Sequence, residues 1–207
     1  MVVAAAGDVI TPLPRIGTSS GRQLEYKIEN VVVTARLASS LNLSALKKKL
    51  DGAVYEPETF PALRLKREKI CFLLYSSGKI VCTGSKSPDD ARKNMDILKA
   101  ALEKNKVKCD MKCDVTVQNI VASANLNRSL RLHDISFHLD NCEYNPEYFP
   151  GMKIQKNNTR ILVFRTGKAI IPGLRNVSEV SETVYWLDRT LNEVEEKIRS
   201  TIGPKRY

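Results

Sequence analysis

The 207-residue chain lacks most of what an enzyme or a membrane protein displays. It has only two histidines, His133 and His138, five apart on a predicted helix and so on different faces. No matching carboxylate or cysteine set accompanies them, which makes them surface residues and not a base or a ligand pair. No glycine-rich loop that could cradle phosphate is present, because Gly78 and Gly167 read as hairpin residues. No apolar run approaches the ~18 residues of a spanning helix, and Met1-Val2-Val3-Ala4-Ala5-Ala6 lacks the basic flank of a signal peptide. The five cysteines, Cys71, Cys82, Cys109, Cys113 and Cys142, are odd in number and scattered, as expected of reduced thiols in a soluble intracellular protein. The spacing Cys109-x-x-x-Cys113 is followed by no second Cys/His pair, so zinc is not indicated. The expectation is a protein without catalytic centre, metal or cofactor.

Positive charge, by contrast, is abundant. Thirty-three Lys plus Arg against 23 Asp plus Glu give a net charge of +10 and a pI near 9.4, which favours a polyanionic partner, nucleic acid first and a membrane surface second. With 43% hydrophobic residues the chain can also bury a real core.

Its organisation is a tandem duplication with a period of 89 residues and no gap. Asn30 recurs as Asn119, Tyr55-x-Pro57 as Tyr144-x-Pro146, Phe60-Pro61 as Phe149-Pro150, and Gly78-Lys79 as Gly167-Lys168. A period of this length is too long for a solenoid unit and suits one small α/β lobe. The expected divisions are a mobile tail over 1–24, a first repeat over 25–112, a second over 113–201 and a C-terminal tail over 202–207.

Within each repeat the order is strand, short helix, brief strand, three-stranded meander, long helix. Asn30 to Leu37 is a β-branched run; Ala45 to Leu50 is a short amphipathic helix; 60–66, 69–76 and 79–84 are strands joined by tight turns. Ser87-Pro88-Asp89-Asp90 starts a helix to about Lys104, with Ala91, Met95, Leu98 and Leu102 as its buried stripe. The copy predicts a strand over 117–126, a helix over 130–139, a meander over 149–173, and a helix over 177–199 buried through Val180, Val184, Leu187, Leu191, Val194 and Ile198. Asn176-x-x-Glu179 is its capping box.

The anomaly lies on the sheet. If Val31, Val33, Phe72, Leu74, Ile80 and Cys82 face the helices, the opposite face carries Asn30, Val32, Thr34, Leu73, Tyr75, Val81 and Thr83, with Asn119, Val121, Ser123, Leu162, Phe164 and Ile170 in the copy. That face is too apolar for plain solvent. Either a second layer such as a partner subunit covers it, or it suits the floor of a DNA minor groove. There Asn and Thr can bond adenine N3 and thymine O2, while Val and Leu exclude a guanine amino group. Phe60 with Tyr75, and Phe149 with Phe164, sit at strand tips and could wedge between base steps.

These stretches resemble the TATA-box-binding protein family. The resemblance rests on Asn30-Val31-Val32, Tyr55-x-Pro57-x-x-Phe60, Tyr75 through Lys86, Gln118-Asn119-Ile120-Val121 and Tyr144 through Gly151, and it runs in order from about residue 26 to 201. It implies an α+β saddle, a curved ten-stranded antiparallel sheet with four helices on the convex face, binding double-stranded A/T-rich promoter DNA as a monomer, with a free sheet face able to self-associate, in the nucleus or at a site of viral transcription. It implies base contacts by Asn30 and Asn119, a floor of Val32, Thr34, Leu73, Val81, Thr83, Val121, Ser123, Leu162 and Ile170, and phosphate contacts by Lys79, Lys86, Lys168 and Arg175. A transcription factor IIB-like partner would meet the loop carrying Asn145, Glu147 and Tyr148, although an acid and a leucine are usual where Asn145 and Tyr148 stand. Other departures are informative. Fifteen residues separate Phe60 from Tyr75 and Phe149 from Phe164, two fewer than is usual in the family, so both stirrup loops are trimmed. Tyr75 replaces a phenylalanine and Pro172 stands where the first repeat has Thr83, which together suggest a sequence-relaxed binder with faster dissociation. The basic pI and short stirrups are similar to copies in large DNA viruses or divergent protists. A protein-interaction module that uses the sheet face for a protein partner is the alternative reading. An RNase H-type enzyme is disfavoured by the lack of clustered carboxylates.

Overall fold

The computed structural model describes residues 10–12, 22–109 and 114–202. They fall into two compact units, one within 30–119 and the other within 7–29 and 120–207. The limits of these units differ from the limits of the repeats, because two long strands, β2 (Glu25–Arg36) and β7 (Thr116–Asn125), each contribute residues to both.

In the first unit the sheet order is β3 (Ala53–Val54), β4 (Ala62–Arg67), β5 (Ile70–Tyr75), β6 (Lys79–Ser85) and then β2, with every pair antiparallel. Two helices accompany it. Helix α1 (Leu43–Lys49) is capped by the Asn42 side chain, which accepts from the Ala45 N–H at 3.0 Å. It begins two residues before the expected Ala45. Helix α2 (Pro88–Lys104) starts at a Ser87 cap, whose Oγ accepts from the Asp90 N–H at 3.0 Å, with Pro88 in the first turn. Its stripe of Ala91, Met95, Leu98 and Leu102 is at most 2% exposed, as the 3.6-residue period predicts.

The second unit repeats the plan as β7, β11 (Lys168–Leu174), β10 (Thr159–Val163), β9 (Met152–Lys156) and β8 (Cys142–Glu143), with α3 (Leu132–Ser136) and α4 (Val177–Ile202). All six expected α4 stripe residues are buried. Helix α3 is five residues long, so the expected helix over 130–139 is too long at both ends and His138 lies beyond it. Both histidines are exposed, and His133 meets the Phe137 ring edge-on at 4.9 Å.

The expected ten strands and four helices are present, and one further strand, β1 (Thr11–Pro12), pairs antiparallel with the start of β2. The tail expected over 1–24 therefore needs correction where it is described. Leu24 is fully buried, and the Arg22 guanidinium bonds the Asn192 side chain at 2.7 Å and lies 3.7 Å from Asp188, which is 1% exposed. Arg128 meets the same carboxylate at 3.5 Å and bonds Glu195 at 2.6 Å. Burial pulls the Arg128 pKa down against the support of Glu195, so the buried guanidinium depends on its partners. Cys113, with residues 110–112, falls outside the described residues; Cys71, Cys82 and Cys142 are free thiols.

The hairpins on the outer side of each sheet are closed by two residues, Glu68-Lys69 and Asn157-Asn158. The first turn residue takes a positive φ in both, 50° at Glu68 and 51° at Asn157. At the inner hairpins Gly78 has φ +80°, and a Cβ there would collide with the Ala38 carbonyl oxygen. That close approach lets Leu37 N–H reach the Gly78 carbonyl at 3.0 Å, a bond the copy repeats between Leu126 and Gly167 at 3.0 Å.

Candidate nucleic-acid interface

Strand alternation decides which side chains are presented. Val31, Val33, Phe72, Leu74, Ile80 and Cys82 are buried, and burial in this apolar layer pushes the Cys82 thiol up to about 11. The opposite set of Asn30, Val32, Thr34, Leu73, Tyr75, Val81 and Thr83 is half-buried throughout, as are Asn119, Val121, Ser123, Leu162 and Phe164; Ile170 is exposed.

Register then groups these residues into rows across each sheet. In the first unit Leu73 lies opposite Val81, and Val81 opposite Thr34, with Arg64 beside Leu73 at the outer end. In the second unit Leu162 lies opposite Ile170, and Ile170 opposite Ser123, with Lys153 at the outer end. Each row therefore runs from a cation through two aliphatic side chains to a hydroxyl. Arg64 and Lys153 were not singled out from the sequence, although each lies within the first strand of its meander at the shared period.

Asn30 is positioned by a bulge in β6. Between Val31 and Val33 the partner strand advances from Ser85 to Cys82, and the extra residue leaves Gly84 at φ +102°. The Gly84 N–H then donates to Asn30 Oδ1 at 2.8 Å, while Asn30 Nδ2 lies 3.1 Å from Thr83 Oγ1. These bonds fix the amide orientation, with the oxygen toward the backbone. The second unit has the same bulge between Ile171 and Leu174, and it holds Pro172. Because a bulged residue is outside the ladder, the missing proline N–H costs no strand bond there. The hydroxyl that Thr83 supplies is absent from that position.

The aromatic pairs differ between the units. Phe149 and Phe164 meet edge to face, with centroids 5.9 Å apart and planes at 63°. Gly151 makes room for them, since a Cβ there would lie 2.7 Å from Phe149 Cε1 and 3.0 Å from Phe164 Cε1. The repeat places Ala62 at the corresponding site in the first unit, opposite Tyr75 and 2% exposed. Phe60 itself is 43% exposed, so this ring presents more of its surface. Both Phe60 and Phe149 end a turn whose start accepts their N–H, Glu56 at 2.9 Å and Asn145 at 3.0 Å. The Tyr-x-Pro-x-x-Phe spacing thus builds the turn that carries each ring.

Lys79 and Lys168 are exposed at strand starts, opposite Arg36 and Asn125. Lys86 is half-buried, and its N–H donates to Asp90 at 3.1 Å; Arg175 is exposed, and its N–H donates to Glu179 at 3.1 Å. That backbone bond, reinforced by the Asn176 amide at 2.7 Å, holds the Glu179 pKa below the ordinary carboxylate value. In the remaining loop Asn145 Oδ1 accepts from the Glu147 N–H at 3.3 Å, Glu147 is exposed, and Tyr148 is 88% exposed.

Two more contacts lie on this face. Gln118 Nε2 donates to Thr34 Oγ1 at 2.9 Å, and Ser123 Oγ donates to Glu29 Oε1 at 2.7 Å. Neither Gln118 nor Glu29 is predicted by strict alternation.

The model of the family described as transcription factor TFIID (or TATA-binding protein, TBP) matches residues 25–105 and 114–194, two segments offset by the same period as the duplication. The TATA-box-binding protein of Picrophilus torridus is 39% identical over 173 residues, covering 81% of this chain and 94% of that protein. Its counterpart in Thermoplasma volcanium is 38% identical over 173 residues, with the same coverage of 81% and 94%. Among solved structures, Methanococcus jannaschii TBP aligns with a TM-score of 0.77 at 31% identity, covering 81% of this chain and 98% of that one.

Proposed function

Since the chain belongs to the TATA-binding protein family, we propose that it binds A/T-rich promoter DNA in the minor groove through the half-buried sheet faces and kinks the duplex with its aromatic pairs. Membership makes it a DNA-binding transcription initiation factor with the α+β fold of two tandem repeats. The finer statement rests chiefly on one observation, the rows of aliphatic side chains that end in Thr34 and Ser123 on a face that also presents Asn30.

The chemistry follows from the groove. Its A·T floor offers only acceptors, adenine N3 and thymine O2, which the amide of Asn30 and Asn119 and the hydroxyl of Thr34 can bond. Val32, Leu73, Val81, Val121, Leu162 and Ile170 pack on sugars, and the Val and Leu side chains among them leave no room for a guanine amino group against their own base pairs. Phe60, Tyr75, Phe149 and Phe164 unstack base steps, an expense offset by the contacts a bent duplex permits. Lys79, Lys86, Lys168 and Arg175, joined by Arg64 and Lys153, neutralise phosphates and add affinity that falls with salt. The protein acts where transcription starts, without a cofactor of its own, and the Asn145–Tyr148 loop is the surface offered to a factor IIB-like partner.

Equilibrium binding to a TATA duplex and a G/C control tests this. The expected result is selective binding to the TATA duplex, weakened about tenfold or more in Asn119→Ala and Phe149→Ala, on the scale of one lost groove contact. Equal affinity for both duplexes would overturn it. Failure to bind either at low salt would favour the sheet face as a protein-binding surface.

A further inference from the structure

The repeat sets Glu29 against Gln118 and Thr34 against Ser123. The structure places the four in two contacts of the same reach and opposite polarity. In the first unit Gln118 Nε2 donates to Thr34 Oγ1 at 2.9 Å; in the second Ser123 Oγ donates to Glu29 Oε1 at 2.7 Å. An ionised carboxylate can only accept, so Ser123 gives its proton to Glu29. Thr34 accepts from the amide and keeps its own proton for another acceptor.

Glu29 is also on the face in question. It lines a cavity of about 720 Å³ together with Ser123, Phe164, Lys168 and Ile170, four residues of the proposed DNA surface. Its side chain is 37% exposed, and Lys27 Nζ lies 3.6 Å from its Oε2, which offsets charge but leaves the carboxylate an acceptor. The first contact therefore keeps donor protons, on the Thr34 hydroxyl and the Gln118 amide, whereas the second ends in a carboxylate that only accepts.

The minor groove distinguishes these two endings. An A·T pair shows only acceptors there, so a carboxylate set against it meets like polarity. A G·C pair adds the guanine N2 amino donor, which a carboxylate can accept in a charge-assisted bond. We propose that Glu29 is a specificity-determining residue that makes the two halves of the DNA site unequal. The base pair facing the Glu29–Ser123 contact is G·C, whereas the pair facing Gln118–Thr34 is A·T. This inference rests on the promoter-binding reading above.

Fluorescence anisotropy on an all-A/T box, and on a series in which single A·T pairs are replaced in turn by G·C, tests it with the full chain and with Glu29→Gln. The substitution is nearly isosteric, and equal melting temperatures show that the fold is kept. The parent protein should prefer G·C at one position, in one half only, and Glu29→Gln should lose that preference by about tenfold. Replacing that guanine by inosine, which lacks the amino group, should abolish the preference in the parent protein. Gln118→Glu should create a second preferred position in the other half. If the parent protein binds the A/T box but rejects G·C at every position as strongly as Glu29→Gln does, the role of Glu29 is overturned and the promoter reading stands. If neither protein binds any duplex, the promoter reading falls and takes this inference with it.

Discussion

Gly151 offers the sharpest test of how the second aromatic pair is held. A Cβ at that position would lie 2.7 Å from Phe149 Cε1, 3.4 Å from Phe149 Cζ and 3.0 Å from Phe164 Cε1. Carbon atoms rest at about 3.5–4.0 Å, so in Gly151→Ala each ring has to retreat by roughly half an ångström to an ångström. Neither ring can do so freely, because each is fixed by its partner at 5.9 Å and by a turn bonded at its own backbone. Overpacking of this size costs about 1–3 kcal/mol. Part of that comes from the edge-to-face contact itself, which contributes about 0.5–1.5 kcal/mol beyond burial. Thermal and urea denaturation should report the loss, and energy transfer across an end-labelled TATA duplex should report a smaller bend with faster dissociation. Ala62→Gly, the reciprocal change in the first unit, should leave the bend intact while lowering stability through lost packing. A Gly151→Ala protein with unchanged stability and unchanged bend would refute the claim that glycine makes room for this aromatic pair.

Three further outcomes follow from the geometry. Glu68→Asn should stabilise the protein by about 0.5–1 kcal/mol in urea melts, because Glu68 holds φ 50° where the copy already uses Asn157. Asp188→Ala should cost about 3–5 kcal/mol, since it leaves the buried Arg128 short of a counter-charge and removes the anchor of Arg22; a loss under 1 kcal/mol would show that the cluster is not coupled. Glu179 should titrate below an ordinary glutamate by NMR, because the Arg175 N–H and the Asn176 amide bond its charged form. Its folded pKa is depressed, so the cap stabilises α4 above the unfolded value and is lost as pH falls through the folded one.

The repeat made most of this fold readable. A strict period of 89 residues meant that each strand and helix was marked twice, so a weak signal in one copy was reinforced by the other. The β2 and α4 patterns are plain because every buried position recurs at strand or helix spacing. The expected helix over 130–139 overshoots α3 at both ends, because Leu130 is buried ahead of the helix and only Leu132–Ser136 adopt it. The Arg22–Asp188 anchor was illegible because the two residues are far apart in sequence and neither has a counterpart pattern nearby. On the sheet face, alternation placed the half-buried residues but missed Glu29 and Gln118. Their parity turns them toward the core, yet their side chains reach hydroxyls on the opposite face. The role of Gly151 needed coordinates, since the sequence shows only that Ala62 differs from it.

The central claim is readout from the minor groove, and base analogues address it directly. An I·C pair has the minor-groove edge of A·T and the major-groove edge of G·C. If the sheet faces lie on the minor groove, a box with every A·T pair replaced by I·C should bind within about threefold of the TATA parent, while the G·C version is rejected by tenfold or more. Loss of binding to the I·C box as complete as for G·C would mean that the protein reads the major groove, and would contradict the account.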